Sequence, residues 1–114
     1  MSKKIRVVIC PQDIRKEPYI KEIDDDLKTL QNLVGGYVEE ITLYGIEDGH
    51  YVLLCDEDGR LKHKPVNGSI CGYVLVGDII IARRADQSLV SVPNGFLVRL
   101  KENYWTDMRN GKPE

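Results

Sequence analysis

Two groups of polar side chains in this sequence have the chemistry to bind an anion. Together they comprise Lys62, Lys64, Asn67, Arg83 and Arg84. Arginine presents a planar fork that matches phosphate, lysine supplies a mobile point charge, and an asparagine amide can hydrogen-bond to a base or ribose edge. If the strands that carry the two groups are neighbours, these side chains converge on one anionic ligand. Tyr37, Tyr51 and Tyr73 would then supply aromatic faces for stacking.

The alternative for the first group is a purely structural role. Arg60, Lys62 and Lys64 alternate with Leu61 and His63 after an Asp-Gly turn. Lysines in such a position are typical of a solvated hairpin face that discourages pairing with another chain. The sequence leaves both interpretations open.

No arrangement typical of catalysis or of a metal site accompanies the basic groups. Acid–base catalysis needs two titrating groups with separated pKa values, and the carboxylates here gather in predicted caps and turns. Gly35-Gly36 follows a predicted helix, whereas a phosphate-binding glycine loop precedes one. The three cysteines and two histidines lack the spacing of a zinc site, and free cysteines are typically buried. The chain is therefore predicted to be a binding protein, not an enzyme, with no metal and no cofactor.

The clearest structural signal is the stretch 22–43, EIDDDLKTLQNLVGGYVEEITL. Apolar residues recur there with helical spacing at Ile23, Leu27, Leu30 and Val34. Asp24 is the predicted N-cap, and Gly35 is predicted to end the helix in the left-handed conformation. Residues 37–43 favour a strand. Because a helix this short is marginal by itself, it must pack its apolar side on a sheet.

Apolar alternation and turn residues predict the remaining elements. Predicted strands cover residues 4–10, 19–23, 50–55, 60–64, 74–83 and 89–92, and a second helix starts at Pro93-Asn94. Residues 66–72 are predicted to form a loop, Gly59 to supply a positive φ, and Gly77-Asp78 to mark a bulge or a close backbone approach. The predicted fold is α+β: a mixed, mostly antiparallel sheet of about five or six strands, with one main helix packed on it and a short C-terminal helix. Residues 1–105 form the single predicted domain, and 106–114 a polar, flexible tail.

Composition indicates an ordinary soluble protein of one domain. Hydrophobic residues make up 42% and charged residues 30%, and the net charge is −2. This charge argues against broad capture of nucleic acid. No apolar run approaches the roughly 20 residues of a membrane span, and no signal peptide is recognisable. The sequence predicts a cytoplasmic protein that does not enter a membrane.

Two runs of the chain resemble a known family. EIDDDLKTLQNLVGGYVEEITL and YVLLCDEDGRLKHKPVN, followed in order by an IxGYVLVGDIIIAR segment, are similar to the family catalogued as domain of unknown function 3846. The resemblance covers residues 5–92 and implies a small accessory protein of a bacterial phage, prophage or plasmid. The family has no catalytic residues to carry over. The segment after Val92 departs from the acidic C-terminal helix of the family, since it carries Arg99, Lys101, Tyr104 and Trp105.

Two functions from different classes follow. The first is sequestration of an anionic small molecule, such as a nucleotide immune signal, in counter-defence by a phage-type element. A homo-oligomer is then expected, because a chain of 13.0 kDa offers little room for a deep pocket. The second is inhibition of a host bacterial enzyme or defence protein, docked through an exposed sheet edge or through Tyr104 and Trp105. The predicted partner is thus nucleotide-like or a host protein, and nucleic acid is disfavoured.

Overall fold

The computed structural model describes residues 3–109, which form nine strands and two helices. In chain order the elements are β1 (Lys4–Cys10), β2 (Tyr19–Asp24), α1 (Leu27–Val34), β3 (Val38–Leu43), β4 (Tyr51–Asp56), β5 (Val66–Ile70), β6 (Tyr73–Val76), β7 (Ile79–Ala85), β8 (Ser88–Val90), α2 (Phe96–Asn103) and β9 (Thr106–Asp107). Neither helix is long and apolar enough to cross a membrane within this described range.

The main sheet has the strand order β2-β1-β7-β4-β3, and every pairing in it is antiparallel. Strand β8 pairs with the outer part of β7 and completes the six strands. The predicted α+β fold, with an antiparallel sheet of about six strands and two helices, is confirmed.

Side chains of the main sheet alternate between two apolar layers, because successive residues of a strand point to opposite faces. Helix α1 covers one face, and its buried residues pack in a cluster with β-strand residues that include Ile5, Val7, Val52, Leu54, Ile80 and Ala82. On the other face the cluster includes Val8, Leu53, Ile79, Ile81, Phe96 and Leu100. The sheet therefore lies between α1 on one side and α2 with a small second sheet on the other.

The second sheet has the strand order β6-β5-β9. Because of it, the structure of residues 66–83 differs from the prediction. Residues 66–72 were predicted to form a loop, but Val66–Ile70 is strand β5. A two-residue turn at Cys71-Gly72, with φ values of 51° and 83°, joins it to β6. Positive φ at both turn residues matches the right-handed twist of a tight hairpin.

The long apolar run 74–83 is two strands rather than one. Gly77 has a φ of 77°, which takes the chain out of β6 and into β7 of the other sheet. The Asp78 carboxylate accepts a hydrogen bond from the backbone N–H of Gln12 at 2.8 Å. The predicted irregularity at Gly77-Asp78 is thus a crossing between sheets.

Helix α1 begins two residues later than predicted. Asp26 is the N-cap, and its carboxylate accepts from the Thr29 backbone N–H at 2.8 Å. Asp24 instead ends β2 and pairs with Lys4 at 2.6 Å. The helix ends as predicted at Gly35, whose φ is 80°.

The segment 60–64 was predicted to be a strand and is a compact series of turns. The backbone N–H of Lys62 donates to the Asp58 carbonyl at 2.9 Å, and that of Lys64 donates to Gly59 at 3.0 Å. The positive φ in this segment, 57°, belongs to His63 rather than to Gly59. The turns bring Lys62 and Lys64 back towards the end of β4.

The C-terminal segment differs from the predicted flexible tail as far as Arg109. Strand β9 pairs with β5, and Arg109 is buried. The Arg109 guanidinium donates to the Asp107 carboxylate and to three backbone carbonyls, those of Pro11, Asp13 and Lys16. Residues 110–114 lie outside the described range.

Candidate functional site

The two predicted basic groups lie at opposite ends of strand β4. Lys62 and Lys64 contact Asp56, the last residue of the strand. Arg83 lies opposite Tyr51, the first residue. At roughly 3.4 Å per residue the two ends are about 17 Å apart. The prediction that these side chains converge on one ligand is therefore wrong.

Asp56 is a buried carboxylate held by two lysines. Its side chain is 1% exposed, and Oδ2 accepts from Lys62 Nζ at 2.7 Å and from Lys64 Nζ at 2.8 Å. Oδ1 accepts from the Asp58 backbone N–H at 2.9 Å. Burial alone would raise the pKa of the Asp56 carboxyl, but the hydrogen bonds from Lys62, Lys64 and Asp58 outweigh it and hold the pKa well below its usual range.

The same two ammonium groups close the C-terminal end of helix α1. Lys64 Nζ donates to the Val34 carbonyl at 2.8 Å, and Lys62 Nζ donates to the Gly35 carbonyl at 3.1 Å. Cations are favoured at this end because the last carbonyls carry the negative pole of the helix dipole. We call Asp56, Lys62, Lys64 and the two carbonyls the carboxylate junction.

Gly36 must lack a side chain because it lies against the carboxylate junction. A Cβ at Gly36 would lie 2.6 Å from Asp56 Cγ and 2.7 Å from Lys62 Nζ. The two sequence runs that carry the family resemblance, one with Gly35-Gly36 and one with Asp56 and the lysines, therefore meet in space. Sequence reasoning missed this pairing, although the coincidence of the two runs was a signal for it.

Three of the predicted ligand-binding residues thus have partners inside the protein. Lys62 and Lys64 are engaged by Asp56 and the helix carbonyls. Asn67 is buried, and its Nδ2 donates to the Cys10 carbonyl at 2.8 Å and to the Gly77 carbonyl at 2.7 Å. Asn67 is therefore a structural residue that ties β5 to β1 and to the sheet crossing, and its predicted contact with ligand is wrong.

A cleft of about 480 Å³ opens beside the carboxylate junction. Its lining consists of Gln31, Asn32, the two glycines, Tyr37, Asp58 and Lys62, and we call it the tyrosine cleft. The Tyr37 side chain is 68% exposed. Two predicted residues, Tyr37 and Lys62, therefore come together here, with two side-chain amides that the sequence did not single out.

Arg83 and Arg84 are adjacent in sequence but point to opposite faces of the sheet. Arg84 follows Ile80 and Ala82 on the α1 face, where its Nε donates to Glu40 at 3.1 Å and its Nη2 at 2.5 Å. Arg83 follows Ile79 and Ile81 on the α2 face. The two guanidinium groups therefore do not form a pair, and the charge of Arg84 is balanced by Glu40.

Arg83 differs from the other described arginines because its guanidinium has no hydrogen-bond or ion-pair partner among residues 3–109. Its side chain is half-buried, opposite Tyr51. Gly49 lies over both residues: a Cβ there would lie 2.6 Å from Tyr51 Cε2 and 3.2 Å from Arg83 Nε. The absence of a side chain at Gly49 therefore leaves the guanidinium open.

A cleft of about 640 Å³ lies next to this guanidinium. The residues that line it include Asp48, Gly49, His50, Arg83, Arg84 and Asp86, and we call it the arginine cleft. It is bounded by the turn before β4 and by the β7–β8 hairpin. His50, Asp48 and Asp86 are exposed. The sequence indicated Arg83 and Arg84 but not the turn residues opposite them.

The remaining aromatic candidates lie elsewhere. Tyr73 is 43% exposed at the start of β6 and lies in a groove with Leu61, apart from both clefts. Tyr104 is half-buried, and its hydroxyl accepts from the Glu47 backbone N–H at 3.3 Å. Trp105 is buried in the core against Gly68. Its predicted role as an exposed partner contact is therefore wrong, and docking through a sheet edge stays a prediction.

The described residues hold no group of three or more His, Cys, Asp or Glu side chains able to bind a metal ion. Cys10 and Cys55 are buried, as predicted, whereas Cys71 is exposed on the β5–β6 turn. Burial raises the pKa of the Cys10 thiol far above its usual range and, with Glu39 nearby, that of Cys55 to about 11. Both buried thiols therefore stay protonated and unreactive near neutral pH.

Comparison with curated proteins and with solved structures finds no match for the chain. A family of proteins does match, described as "Domain of unknown function (DUF3846)", over residues 5–104. The match includes both runs that meet at the carboxylate junction, the arginine cleft and helix α2. It covers most of the 114 residues, and the chain therefore belongs to the DUF3846 family.

Proposed function

We propose that this protein is a non-enzymatic binding protein that holds a small anionic ligand of the nucleotide class in the arginine cleft. The observation that carries the proposal is the half-buried residue Arg83, which lines the cleft and whose guanidinium has no hydrogen-bond or ion-pair partner among the described residues. Burying a charge without a partner is costly, so a bound anion would stabilise this arrangement. A guanidinium also offers phosphate two parallel N–H donors.

The other charges of the arginine cleft favour a ligand with one phosphate rather than several. Glu40 balances Arg84, so Arg83 supplies the unpaired positive charge. The exposed carboxylates of Asp48 and Asp86 would repel further phosphates, but they accept hydrogen bonds from hydroxyl or amino groups. A nucleotide carries all of these groups. The volume of the cleft also falls in the range of ligand pockets, roughly 300–1,000 Å³.

The chemistry of the cleft supports binding without turnover. A guanidinium does not titrate in proteins, so Arg83 orients and neutralises a phosphate but does not transfer a proton. General acid–base catalysis needs two groups within hydrogen-bond reach of the reacting atoms. The two aspartates and the histidine that line the cleft are exposed to solvent.

The expected origin in a phage, prophage or plasmid, which the sequence resemblance implies, gives the proposal its setting. A small protein that removes a nucleotide immune signal of the bacterial host would protect a mobile element from defence. Self-association of the chain belongs to the same proposal, and a native mass spectrum of the purified protein tests it.

Calorimetric titration with inorganic phosphate, adenosine monophosphate and a cyclic dinucleotide tests the proposal. We expect a nucleotide to bind and to be recovered intact by chromatography after the protein is denatured by heat. Arg83→Gln should weaken binding by roughly 10- to 100-fold, because a hydrogen bond to a charged group contributes about 1.5–3 kcal/mol. Higher salt should weaken binding of the wild-type protein as well.

Arg15→Gln is the matched control, because it removes the same charge from an exposed side chain paired with Asp13. This variant should bind as the wild type does. Absence of heat with every nucleotide, or equal affinity of Arg83→Gln and wild type, would contradict the assigned site. Recovery of a cleaved nucleotide would contradict the non-enzymatic role.

A further inference from the structure

We propose that the tyrosine cleft is a second ligand site, which binds a planar, uncharged heterocycle of the nucleobase class. The site is independent of the arginine cleft, since the two lie at opposite ends of β4. It is built where the Gly35-Gly36 run and the run that carries Lys62 meet. Four properties of the cleft select this class of ligand.

The first property is a pair of side-chain amides without partners. Gln31 and Asn32 lie in the last turns of α1 and line the cleft. Neither amide forms a hydrogen bond with another described residue. Each amide offers both a donor and an acceptor, which is the combination that a nucleobase edge presents. A ligand with mixed donors and acceptors can therefore satisfy both.

The second property is an N–H donor of Lys62 that is left without a partner among the described residues. An ammonium group has three N–H donors. On Lys62 one donates to Asp56 at 2.7 Å and one to the Gly35 carbonyl at 3.1 Å. The third has no partner among the described residues, and the side chain is 44% exposed. Because the other two bonds fix Nζ in place, the third donor is held at the wall of the cleft.

The third property is the balance of charge. The positive charges of Lys62 and Lys64 are matched by the carboxylates of Asp56 and Asp58. The C-terminal end of α1 adds partial negative charge. The tyrosine cleft therefore has no excess positive charge to attract phosphate, and the hydrogen bonds of an uncharged ligand suit it better.

The fourth property is an open aromatic face. Tyr37 is 68% exposed and directly follows two glycines, which have no side chains. The glycines are required by the carboxylate junction, so the space beside the ring is a consequence of the fold. A planar heterocycle can stack on Tyr37 while its edge meets Gln31 and Asn32.

Titration of isotope-labelled protein with adenosine, guanosine, cytidine and uridine tests the site by NMR. We expect at least one nucleoside to shift the side-chain amide signals of Gln31 and Asn32 together with the backbone signals of residues 35–37. Tyr37→Ala should weaken that binding roughly tenfold, because stacking of a base on an aromatic ring contributes about 1–3 kcal/mol. Tyr37→Phe keeps the ring and loses only the hydroxyl, so its affinity should stay within about two- to threefold of that of the wild type.

Tyr44→Ala is the matched control, because Tyr44 is 79% exposed and lines neither cleft. This variant should bind as the wild type does. The proposal is overturned if no nucleoside shifts these signals at millimolar concentration, if the shifts centre on Arg83, or if Tyr37→Ala binds equally well. Arg83→Gln should leave nucleoside binding unchanged, so failure of one site is distinguishable from failure of the other.

Discussion

Replacing Asp56 with asparagine tests whether the carboxylate junction holds helix α1 to the sheet. An asparagine Oδ1 can still accept from the Asp58 backbone N–H. Its Nδ2 takes the place of Oδ2 and cannot accept, so the change removes both charged hydrogen bonds and leaves the two ammonium groups facing a donor. The bond to Lys64, which is 18% exposed, should contribute about 2 kcal/mol. The bond to Lys62, which is 44% exposed, should contribute about 1 kcal/mol or less because solvent screens it. We expect Asp56→Asn to lower the free energy of unfolding by about 3 kcal/mol. This value is at the lower end of the losses that are typical when one partner of a buried ion pair is removed.

The effect of Asp56→Asn should depend on pH in one direction. The folded-state pKa of Asp56 is lowered, whereas in the unfolded chain it is ordinary, about 3.9. The unfolded chain therefore takes up a proton at this site before the folded protein does. The stabilisation by Asp56 is fully present above about pH 5 and is lost as pH falls below about 4 towards the folded-state pKa. The difference between wild type and variant should shrink over that acidic range.

Urea denaturation followed by circular dichroism measures both effects. At neutral pH the midpoint should fall while the slope m stays unchanged, and the melting temperature should drop by about 12 °C. Glu57→Gln is the control, since Glu57 is the exposed neighbour of Asp56 and should change the free energy by less than about 0.5 kcal/mol. A loss below about 1 kcal/mol for Asp56→Asn, or a loss that does not vary with pH, would refute the reasoning.

Two further predictions concern the packing around the carboxylate junction and the thiols. Gly36→Ala should destabilise the protein by about 1–3 kcal/mol, because its Cβ would displace the Asp56 carboxylate, and urea denaturation measures the loss. With a thiol-reactive chromophore at pH 8, native protein should react quickly at Cys71 alone, and all three cysteines should react in denaturant. The pKa of Cys55, raised to about 11, and the burial of Cys10 keep these thiols protonated in the folded state.

A second glycine variant shows whether the loss of stability in Gly36→Ala comes from contact with Asp56 or from adding a side chain to a glycine. Gly45→Ala adds a Cβ in open space at a φ of 84°, so it should cost about 1 kcal/mol without changing the dependence of stability on pH. Gly36→Ala should flatten that dependence below about pH 4, because it disturbs Asp56. Equal stability of Gly36→Ala and wild type, or fast labelling of more than one thiol in native protein, would contradict the packing described.

The elements of the fold could largely be predicted from local patterns in the sequence. Both helices follow from apolar spacing, and the helix end at Gly35 follows from its freedom to take a positive φ. The division of the long apolar run at Gly77 could not be predicted, because the residues on both sides of Gly77 are apolar. Only their pairing with other strands, β6 with β5 and β7 with β1 and β4, places the two strands in different sheets.

The candidate sites were predicted less well, for two physical reasons. Arg83 and Arg84 were treated as a pair, although consecutive residues of a strand point to opposite faces, and this signal was present in the sequence. The role of Lys62 was hidden because residues 60–64 turn back instead of extending, which depends on hydrogen bonds to Asp58 and Gly59. A charged residue near a turn is usually solvated, and only the structure shows that Asp56 is buried beneath it.

Arg109 joins segments that are far apart in the chain. Its guanidinium binds carbonyls 93 to 98 residues earlier, and β9 beside it completes the small sheet. Strand β1 likewise pairs on its inner side with β7, which lies about 70 residues later in the chain. During synthesis on the ribosome the first strands therefore emerge long before the residues that cover them. The final packing of β1 can form only after the residues up to Arg109 have been translated, and until then its apolar side chains lack part of the cover that limits aggregation.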